Sequence, residues 1–403
     1  MQRSTELLVC LLEGIEHELP AAVELRRRLH AQPELAHAEA QTAAVVAAAL
    51  PVESQSAAGT GRIARVGASD DAAVAVRAEL DGLPIEERTG APFSAAGATM
   101  HACGHDVHMA ALVALTRAAH ALDTGGGELP APLLAVFQPS EEAYPSGAEQ
   151  LARGELAGQA ARAGQAGQAP GAIVAAHVHP ELRWGMVAID GGPVNASCDV
   201  VQITVEGEPT HGAYPHHGRD PILALAQIVV ALHTQVGRRV DPLHPATVTI
   251  GVVEGGSAEN VIPARARGKG ALRAHRQQDR VALRAMVEEV VSGIAAAHGC
   301  HGSVELTSGE PALENDPAIV AAARELLGST GLKPAPEWRS CGSDDFAFFA
   351  ELAPIAMAFV GLDGAEGFRP RPLHHPELLV PDSAVGAVAR VQALLYVAAA
   401  STL

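Results

Sequence analysis

Three short apolar runs, Leu133 to Phe137, Ala172 to Ala176 and Ile355 to Val360, each lead into a knot of reactive side chains. The first delivers Gln138-Pro139-Ser140-Glu141-Glu142, the second His177 and His179, and the third, across a glycine-rich loop, His374 and His375. A fourth knot, Met100-His101-Ala102-Cys103-Gly104-His105-Asp106, gathers a thiol, two imidazoles and a carboxylate around one glycine. Runs of this length read as buried strands, and in open α/β sheets ligands sit outside the carboxyl ends of the strands. One shared centre accounts for such clusters better than four unrelated surface loops do. The chain is thereby constrained to an α/β sheet whose strand ends converge on a site.

The residue types point to a metal. Side chains two apart on an extended segment face the same way, so Cys103 and His105 can converge on one ion while Gly104 permits a tight turn between them. Alone, the pair reads equally well as a small buried cysteine beside a satisfied histidine; the other clusters decide for metal. Thiolate, imidazole and carboxylate together suit borderline divalent transition ions. If Glu142 binds metal, Glu141 stands one residue away, close enough to take a proton from a water at the metal and pass it to a leaving amine. That division of labour is hydrolysis.

At 403 residues the chain exceeds the size at which single cores stop growing, so two domains are expected. A net charge of -18 argues against nucleic acid, whose binding needs clustered Lys and Arg, and against anionic membrane surfaces. The apolar run Leu7 to Leu12 is bracketed by Glu6, Glu13, Glu16 and Glu18, unlike a secretory leader. No run is expected to approach the roughly 18 apolar residues of a spanning helix. Cysteines at 10, 103, 198, 300 and 341 are odd in number and scattered, unlike a disulfide framework. A reducing cytoplasm is expected, leaving Cys103 for a metal.

Spacing predicts two helices between Glu16 and Leu50, a strand over Val74 to Asp81, and a helix over Val107 to Leu122 with Asp106 as its N-cap. Leu156 to Gly171 repeats Gly-Gln-Ala three times without apolar periodicity and reads as a flexible insertion. From Gly191 the character changes. A strand at Val201 to Val205, a helix at Pro221 to Val236, strands at Ala246 to Val253 and Gly270 to His275, a helix at Arg280 to His298 and a strand at Gly302 to Leu306 follow one another. That order, βαββαβ, is the split-βαβ, ferredoxin-like unit. The expected division is a catalytic domain of residues 1–191 and 308–403 with residues 192–307 inserted. The catalytic domain resumes with a helix after Asp316 and closes with one after Pro381, where Asp382 or Ser383 can cap.

Within the insertion, Pro209 to His216 presents imidazoles in a loop bounded by glycine and proline, and Gly255 to Pro263 offers an amide in a similar loop. His211 and Asn260 are suitable hydrogen-bond donors to the oxyanion of an amide hydrolysis intermediate. Arg273, on the strand Gly270 to His275, could take a substrate carboxylate in its bidentate fork.

Assembled, these residues resemble the aminoacylase/carboxypeptidase-type binuclear metallohydrolases, and within them the hippurate hydrolases and indole-acetyl-amino-acid hydrolases. The likeness runs nearly the whole length, through Leu29-His30-Ala31-Gln32-Pro33-Glu34-Leu35, Arg77 to Pro84, Met100 to Asp106, Gln138 to Glu142, His177, the His211 and Asn260 loops, Gly342 to Phe346 and Leu373-His374. Met-His-Ala-Cys-Gly-His-Asp together with Gln-Pro-x-Glu-Glu is its specific signature. The resemblance implies a zinc-exopeptidase-like α/β catalytic domain with an inserted ferredoxin-like βαββαβ lid and dimerisation domain. It implies two divalent transition-metal ions (Zn, Mn, Co or Ni) on Cys103, His105, Glu142, His177 and His374, with Cys103 bridging where related subfamilies use Asp. Glu141 matches the general base. His211 and Asn260 match substrate and transition-state contacts, with one protomer's His completing the site of the other in a homodimer.

Two features depart from that pattern. Glu79, in Arg77-Ala78-Glu79-Leu80-Asp81, stands where the subfamily usually has Asp and lengthens a carboxylate expected to support the metal shell. The doublets His374-His375 and His177-Val178-His179 offer two histidines each, of which His374 and His177 occupy the motif positions.

The expected function is hydrolysis of the amide bond of an N-acyl-amino acid (N-acetyl, N-benzoyl or aryl-acyl), releasing a carboxylic acid and an amino acid. A dipeptidase or carboxypeptidase on the same scaffold is the nearest alternative, separated only by pocket shape. A thiol hydrolase with Cys103 as nucleophile, paired with His105 or His101, would need no stoichiometric metal. A non-catalytic metal-binding protein would have no use for Glu141.

Overall fold

The computed structural model describes residues 2–69, 71–157 and 170–403. They form two compact units, one of Met1–Gly192, Glu314–Trp338 and Asp345–Leu403, the other of Pro193–Leu313 and Arg339–Asp344. The Gly-Gln-Ala repeats, at 158–169, lie outside the described residues.

The first unit is built on an eight-stranded mixed sheet. Its spatial order is Ser54–Ala57, Gly61–Val66, Leu133–Gln138, Ala73–Glu79, Pro170–Arg183, Ile355–Asp363, Met186–Ala188 and Lys333–Pro334. The four adjacent strands from Leu133–Gln138 to Ile355–Asp363 run parallel, so their carboxyl ends lie along one edge. Ala73–Glu79 and Leu133–Gln138 are buried at every position, which is what a sheet covered on both faces requires.

Four sequence expectations are corrected here. The first helix runs Gln2–His30 rather than starting near Glu16. Leu8, Leu11, Ile15, Ala22, Arg26 and Leu29 fall on one buried stripe at helical spacing, and this burial carries the helix through Pro20, which has no N–H to donate. Asp106 does not cap the helix His105–Thr124; Gly104, at φ 88°, occupies the cap position, and the Asp106 carboxylate binds Arg26 and His30 instead. Asp382 likewise makes no cap bond to Ser383–Ala400, because Arg26 and Arg27 hold its oxygens. Ser383–Ala400 is also long and apolar enough by itself to cross a membrane, contrary to expectation, yet nearly all of it is buried in the protein core. Asp316 does cap its helix, Pro317–Leu326, accepting from the amides of Ala318 and Ile319.

The second unit is a four-stranded antiparallel sheet in the order Ala246–Gly255, Arg265–Ala274, Ser197–Glu206 and His301–Ser308. With the helices Pro221–Arg239 and Gln277–Ala297, the chain order is βαββαβ. Val201, Ile203 and Val205 alternate onto the core face, where they join Leu225, Ile228, Leu283 and Val287. Residues 308–313 and the short segment Arg339–Asp344, both expected in the catalytic domain, also belong to this unit. The Ala196 amide donates to Gly342 O (3.0 Å) and the Ser340 amide to Val194 O (2.9 Å).

Candidate metal centre and catalytic site

At the carboxyl edge of the parallel strands, Cys103, His105, Glu141, Glu142, His177 and His374 meet in overlapping triplets. Ligand atoms lie within 4.8 Å of one another in each of Cys103–His105–His177, Cys103–Glu142–His374 and His105–Glu141–Glu142. Cys103 Sγ stands 3.5 Å from His177 Nε2, and His374 Nε2 stands 3.2 Å from Glu142 Oε1. Gly104 makes the turn possible: its φ is 88°, and a Cβ there would lie 2.6 Å from the Val178 side chain. Two non-glycine residues with positive φ, Ser140 (49°) and His374 (65°), also sit in the site. Such backbone is disfavoured for L-residues and concentrates where function over-determines it.

The tautomers of two histidines follow from what their other nitrogen touches. A carbonyl oxygen can only accept, so His105 Nδ1 donates to Asp81 O (2.8 Å) and His177 Nδ1 to Val178 O (2.6 Å). Each ring in that form turns an Nε2 lone pair toward the cluster. His105 Nε2 is buried without a hydrogen bond, an arrangement a metal ion would satisfy. Asp81 organises the acidic loop as well, its two oxygens accepting from the amides of Glu141 (3.1 Å) and Glu142 (2.9 Å).

The electrostatics agree. Burial opposes the imidazolium of His105, yet the charges of Glu79, Asp81 and Glu142 draw its pKa above the ordinary value. Negative charge is in excess here, and a cation would offset it. Burial drives His177 well below its ordinary value, so it stands neutral, as a ligand must. The same depression makes it a poor base for the Cys103 thiol it faces. His101, named with His105 as a partner for that thiol, is buried with neither ring nitrogen hydrogen-bonded, and burial lowers its pKa to about 3.

The doublets are resolved by direction. His179 turns into an aromatic group, 4.5 Å from the Trp338 ring and 6.3 Å from Phe359, and His375 Nδ1 accepts from the Glu377 amide (3.1 Å). Among the described residues, neither joins a triplet; His177 and His374 do.

Apart from Glu79, sequence reasoning passed over a buried frame behind these residues. Asp106 receives Arg26 Nε (2.6 Å) and His30 Nδ1 (2.9 Å), while His30 Nε2 reaches Glu87 (3.1 Å) and Arg26 reaches Val380 O (2.8 Å). Burial alone would keep His30 neutral, but Asp106 and Glu87 raise its pKa to about 9. A second knot joins Arg77 to Glu79, Gln138 (2.7 Å) and Asp345 (3.0 Å), with Ser146 Oγ also donating to Asp345 (2.6 Å). The available signal was polar residues inside otherwise apolar strand and helix stripes, namely Arg26, Arg77 and Gln138.

In the second unit, His211 and Asn260 are exposed on loops joined by the pairing of Val261–Ile262 with Thr210–His211. The Gly212 amide donates to Asn260 O (2.7 Å). The Ala213 amide donates to His211 Nδ1 (3.0 Å), which leaves Nε2 as the protonated nitrogen of the neutral ring. His211 therefore presents a hydrogen-bond donor outward. Arg273 is differently placed from the substrate fork expected of it. Its Nη1 donates to Cys341 O (2.9 Å), and together with His275, which bonds Ser340 O (2.8 Å), it anchors the Arg339–Asp344 segment.

Known proteins are similar to this one in sequence and shape over almost the whole chain. The pattern of the family described as Peptidase family M20/M25/M40 matches residues 75–396. The N-acetyl-L-cysteine deacetylase of Bacillus subtilis is 35% identical over 383 residues, covering 93% of this chain and 86% of that protein. The N-acetyldiaminopimelate deacetylase of Halalkalibacterium halodurans is 34% identical over 354 residues, covering 85% and 91%. Among solved structures, a Bacillus subtilis protein described as a dinuclear metal-binding peptidase of the M20 family superposes with a TM-score of 0.79 at 29% identity, covering 96% of this chain and all of that one.

Proposed function

Since the chain belongs to peptidase family M20/M25/M40, we propose that it is a metal-dependent amidohydrolase that removes the acyl group from N-acyl-amino acids. The observation that carries this reading is the cup in which three imidazoles, those of His105 and His177 buried and that of His374 at the exposed rim, converge with a thiol and Glu142, with Glu141 beside them. The donors suit a pair of divalent transition ions, and the unpartnered His105 Nε2 and the excess of negative charge fit such a load. Cys103, His105, Glu142, His177 and His374 would hold the ions. When bound, they supply Lewis-acid polarisation of the amide carbonyl and lower the pKa of water toward about 7.

The chain's own residues do the rest. Glu141 takes a proton from the attacking water and delivers it to the amide nitrogen as the C–N bond breaks, so a carboxylic acid and a free amine leave. Asp81 holds Glu141 and Glu142 by their amides, fixing both carboxylates relative to His105. His211, donating from Nε2, and the amide of Asn260 stabilise charge on the carbonyl oxygen.

The acyl group we assign is small. Both relatives named above act on N-acetyl compounds, and an N-acetyl-amino acid is the substrate class favoured here over benzoyl or indole-acetyl derivatives. The active form we propose is a homodimer through the second unit, in a reducing cytoplasm that keeps Cys103 a thiol. Supporting the dimer, Ala246–Gly255 is an edge strand that exposes Val252 and Val253, and the helix Pro221–Arg239 exposes Val230.

Hydrolysis should be measured on N-acetyl-, N-benzoyl- and indole-acetyl-amino acids and on dipeptides, after reconstitution with Zn, Mn, Co or Ni. Metal-dependent release of acetate, with the highest kcat/KM on N-acetyl substrates, is expected. Preference for dipeptides would replace this reading by the dipeptidase, and turnover by metal-free protein would end it.

A further inference from the structure

A third group of buried ligand-type atoms lies next to the centre: Glu79, His108 and His177, again within 4.8 Å of one another. Hydrogen-bond accounting shows what it can do. Pairing between Ala73–Glu79 and the strand carrying His177 ends at Arg77 opposite Ala175. Beyond that point the Val178 amide donates to His108 Nε2 (3.1 Å). An amide N–H can only donate, so Nε2 carries the lone pair and Nδ1 the proton, which His108 donates to Glu79 Oε2 (2.8 Å). The other Glu79 oxygen receives Arg77. Both nitrogens of His108 are thus engaged, and its ring lies 4.5 Å from that of His177 in an edge contact. Nothing on His108 remains to bind an ion.

We propose that Glu79 and His108 are positioning residues that hold His177 at the metal centre. Glu79 fixes the Nδ1–H tautomer of His108, and His108 in turn caps the Val178 amide and buttresses the His177 ring from behind. The glutamate in the Arg77-Ala78-Glu79 segment is therefore matched to His108, across a span that one methylene fewer would not bridge without movement. The Val178 amide, which lies beyond the end of the pairing with Ala73–Glu79 and would be costly if buried unsatisfied, becomes the fixed point from which His177 projects toward Cys103.

This inference rests on His177 being a ligand, and the test separates the two. Apo full-length protein is titrated with Co(II) against a competing chelator, with the visible absorption spectrum recorded and the fold of each variant checked by circular dichroism. His108→Asn keeps a donor toward Glu79 but offers no acceptor where Nε2 stood. It should bind as many ions as the wild type, with the same band pattern, at affinity reduced about 10- to 100-fold. His108→Gln, whose amide oxygen can reach the Val178 amide, should recover much of that loss.

Should His108→Asn not fold, Glu79→Gln serves. It retains an acceptor for His108 and should bind the same number of ions with less than about a tenfold loss. Fewer bound ions or altered bands in these variants would make His108 or Glu79 a ligand and overturn the proposal, as would unchanged affinity in His108→Asn. A wild-type protein that binds no Co(II) would instead remove the metal centre itself, and this inference with it.

Discussion

The two units set their functional side chains in opposite ways. In the first, Cys103, His105 and His177 are at most 7% exposed and are backed by buried charge, with Arg26, Arg77, Glu79, Asp81, Asp106 and Asp345 all enclosed; His374, its side chain 48% exposed, closes the cluster at the rim. In the second, His211 and Asn260 stand in solvent on loops tied together by a two-residue ladder and little else. A metal site needs ligands held to a fraction of an ångström, which only an over-determined environment provides. A hydrogen-bond donor that must meet a substrate's developing charge needs only a fixed tautomer and room to approach. The contrast teaches that loss of a group in the first unit should be felt in metal content and stability, and loss in the second almost wholly in rate.

The largest expected effect is on the ligands. Cys103→Ala and Glu142→Ala should each lose metal, measured by elemental analysis of purified protein, and activity with it. Full metal content in either variant, with circular dichroism unchanged, would break the assignment. Next is Glu141→Gln, which keeps shape but not basicity. Turnover should fall by about 10²- to 10⁴-fold with metal retained; a rate within twofold of wild type would place the base elsewhere.

His211→Ala should cost on the order of 10²- to 10³-fold in kcat, with metal content unaltered and stability within about 0.5 kcal/mol, as for an exposed side chain. A large drop in melting temperature would erase the distinction between the units. Mixing inactive His211→Ala with inactive Glu141→Gln sharpens it further. Recovery of activity after demonstrated subunit exchange is expected if His211 serves the partner protomer, and a monomer in solution would remove the premise.

The smallest effect is a pH dependence seated in the frame. His30 is raised from 6.5 to about 9 against the pull of burial, because Asp106 and Glu87 face it, with Arg26 alongside. A raised folded pKa stabilises fully below the unfolded value and fades as pH rises through the folded one. Between pH 6.5 and 9 the wild type should therefore lose up to ~3 kcal/mol relative to His30→Gln. Denaturant titrations of both proteins across that range check it, and parallel stability curves would refute it.

Some of this was legible in the residues alone. The apolar runs ending in Glu141, His177 and His374 marked strands and the edge on which a site would form, because backbone pairing and burial impose their own composition on a sequence. The alternation at Val201, Ile203 and Val205 did the same for the second unit. Other features were not legible. Asp106 and Asp382 had the look of helix caps, a local rule, but one buried arginine, Arg26, claimed both carboxylates from the first helix, far away in sequence. The glutamates around Leu7 to Leu12 seemed to interrupt an apolar run, although a helix carries them to its other face. Arg273, read as a fork for a substrate carboxylate, has its Nη1 engaged by Cys341 O, a partner far away in sequence.

What the sequence determined by itself was therefore periodic or local: the α/β class, the βαββαβ order of the insertion, and the chemical types available for a metal and a base. What only the tertiary structure decided was the direction of each group. Which histidine of each doublet faces the cluster, which nitrogen of His105 and His108 carries the proton, and whether Asp106 and Asp382 are engaged by arginine depend on partners distant in the chain, while the tautomers of His177 and His211 are set by near neighbours only once the backbone turns the ring toward them. Hydrogen bonds are short and directional while sequence spacing is neither, so composition can supply the donors, but only the packed fold assigns each one its acceptor.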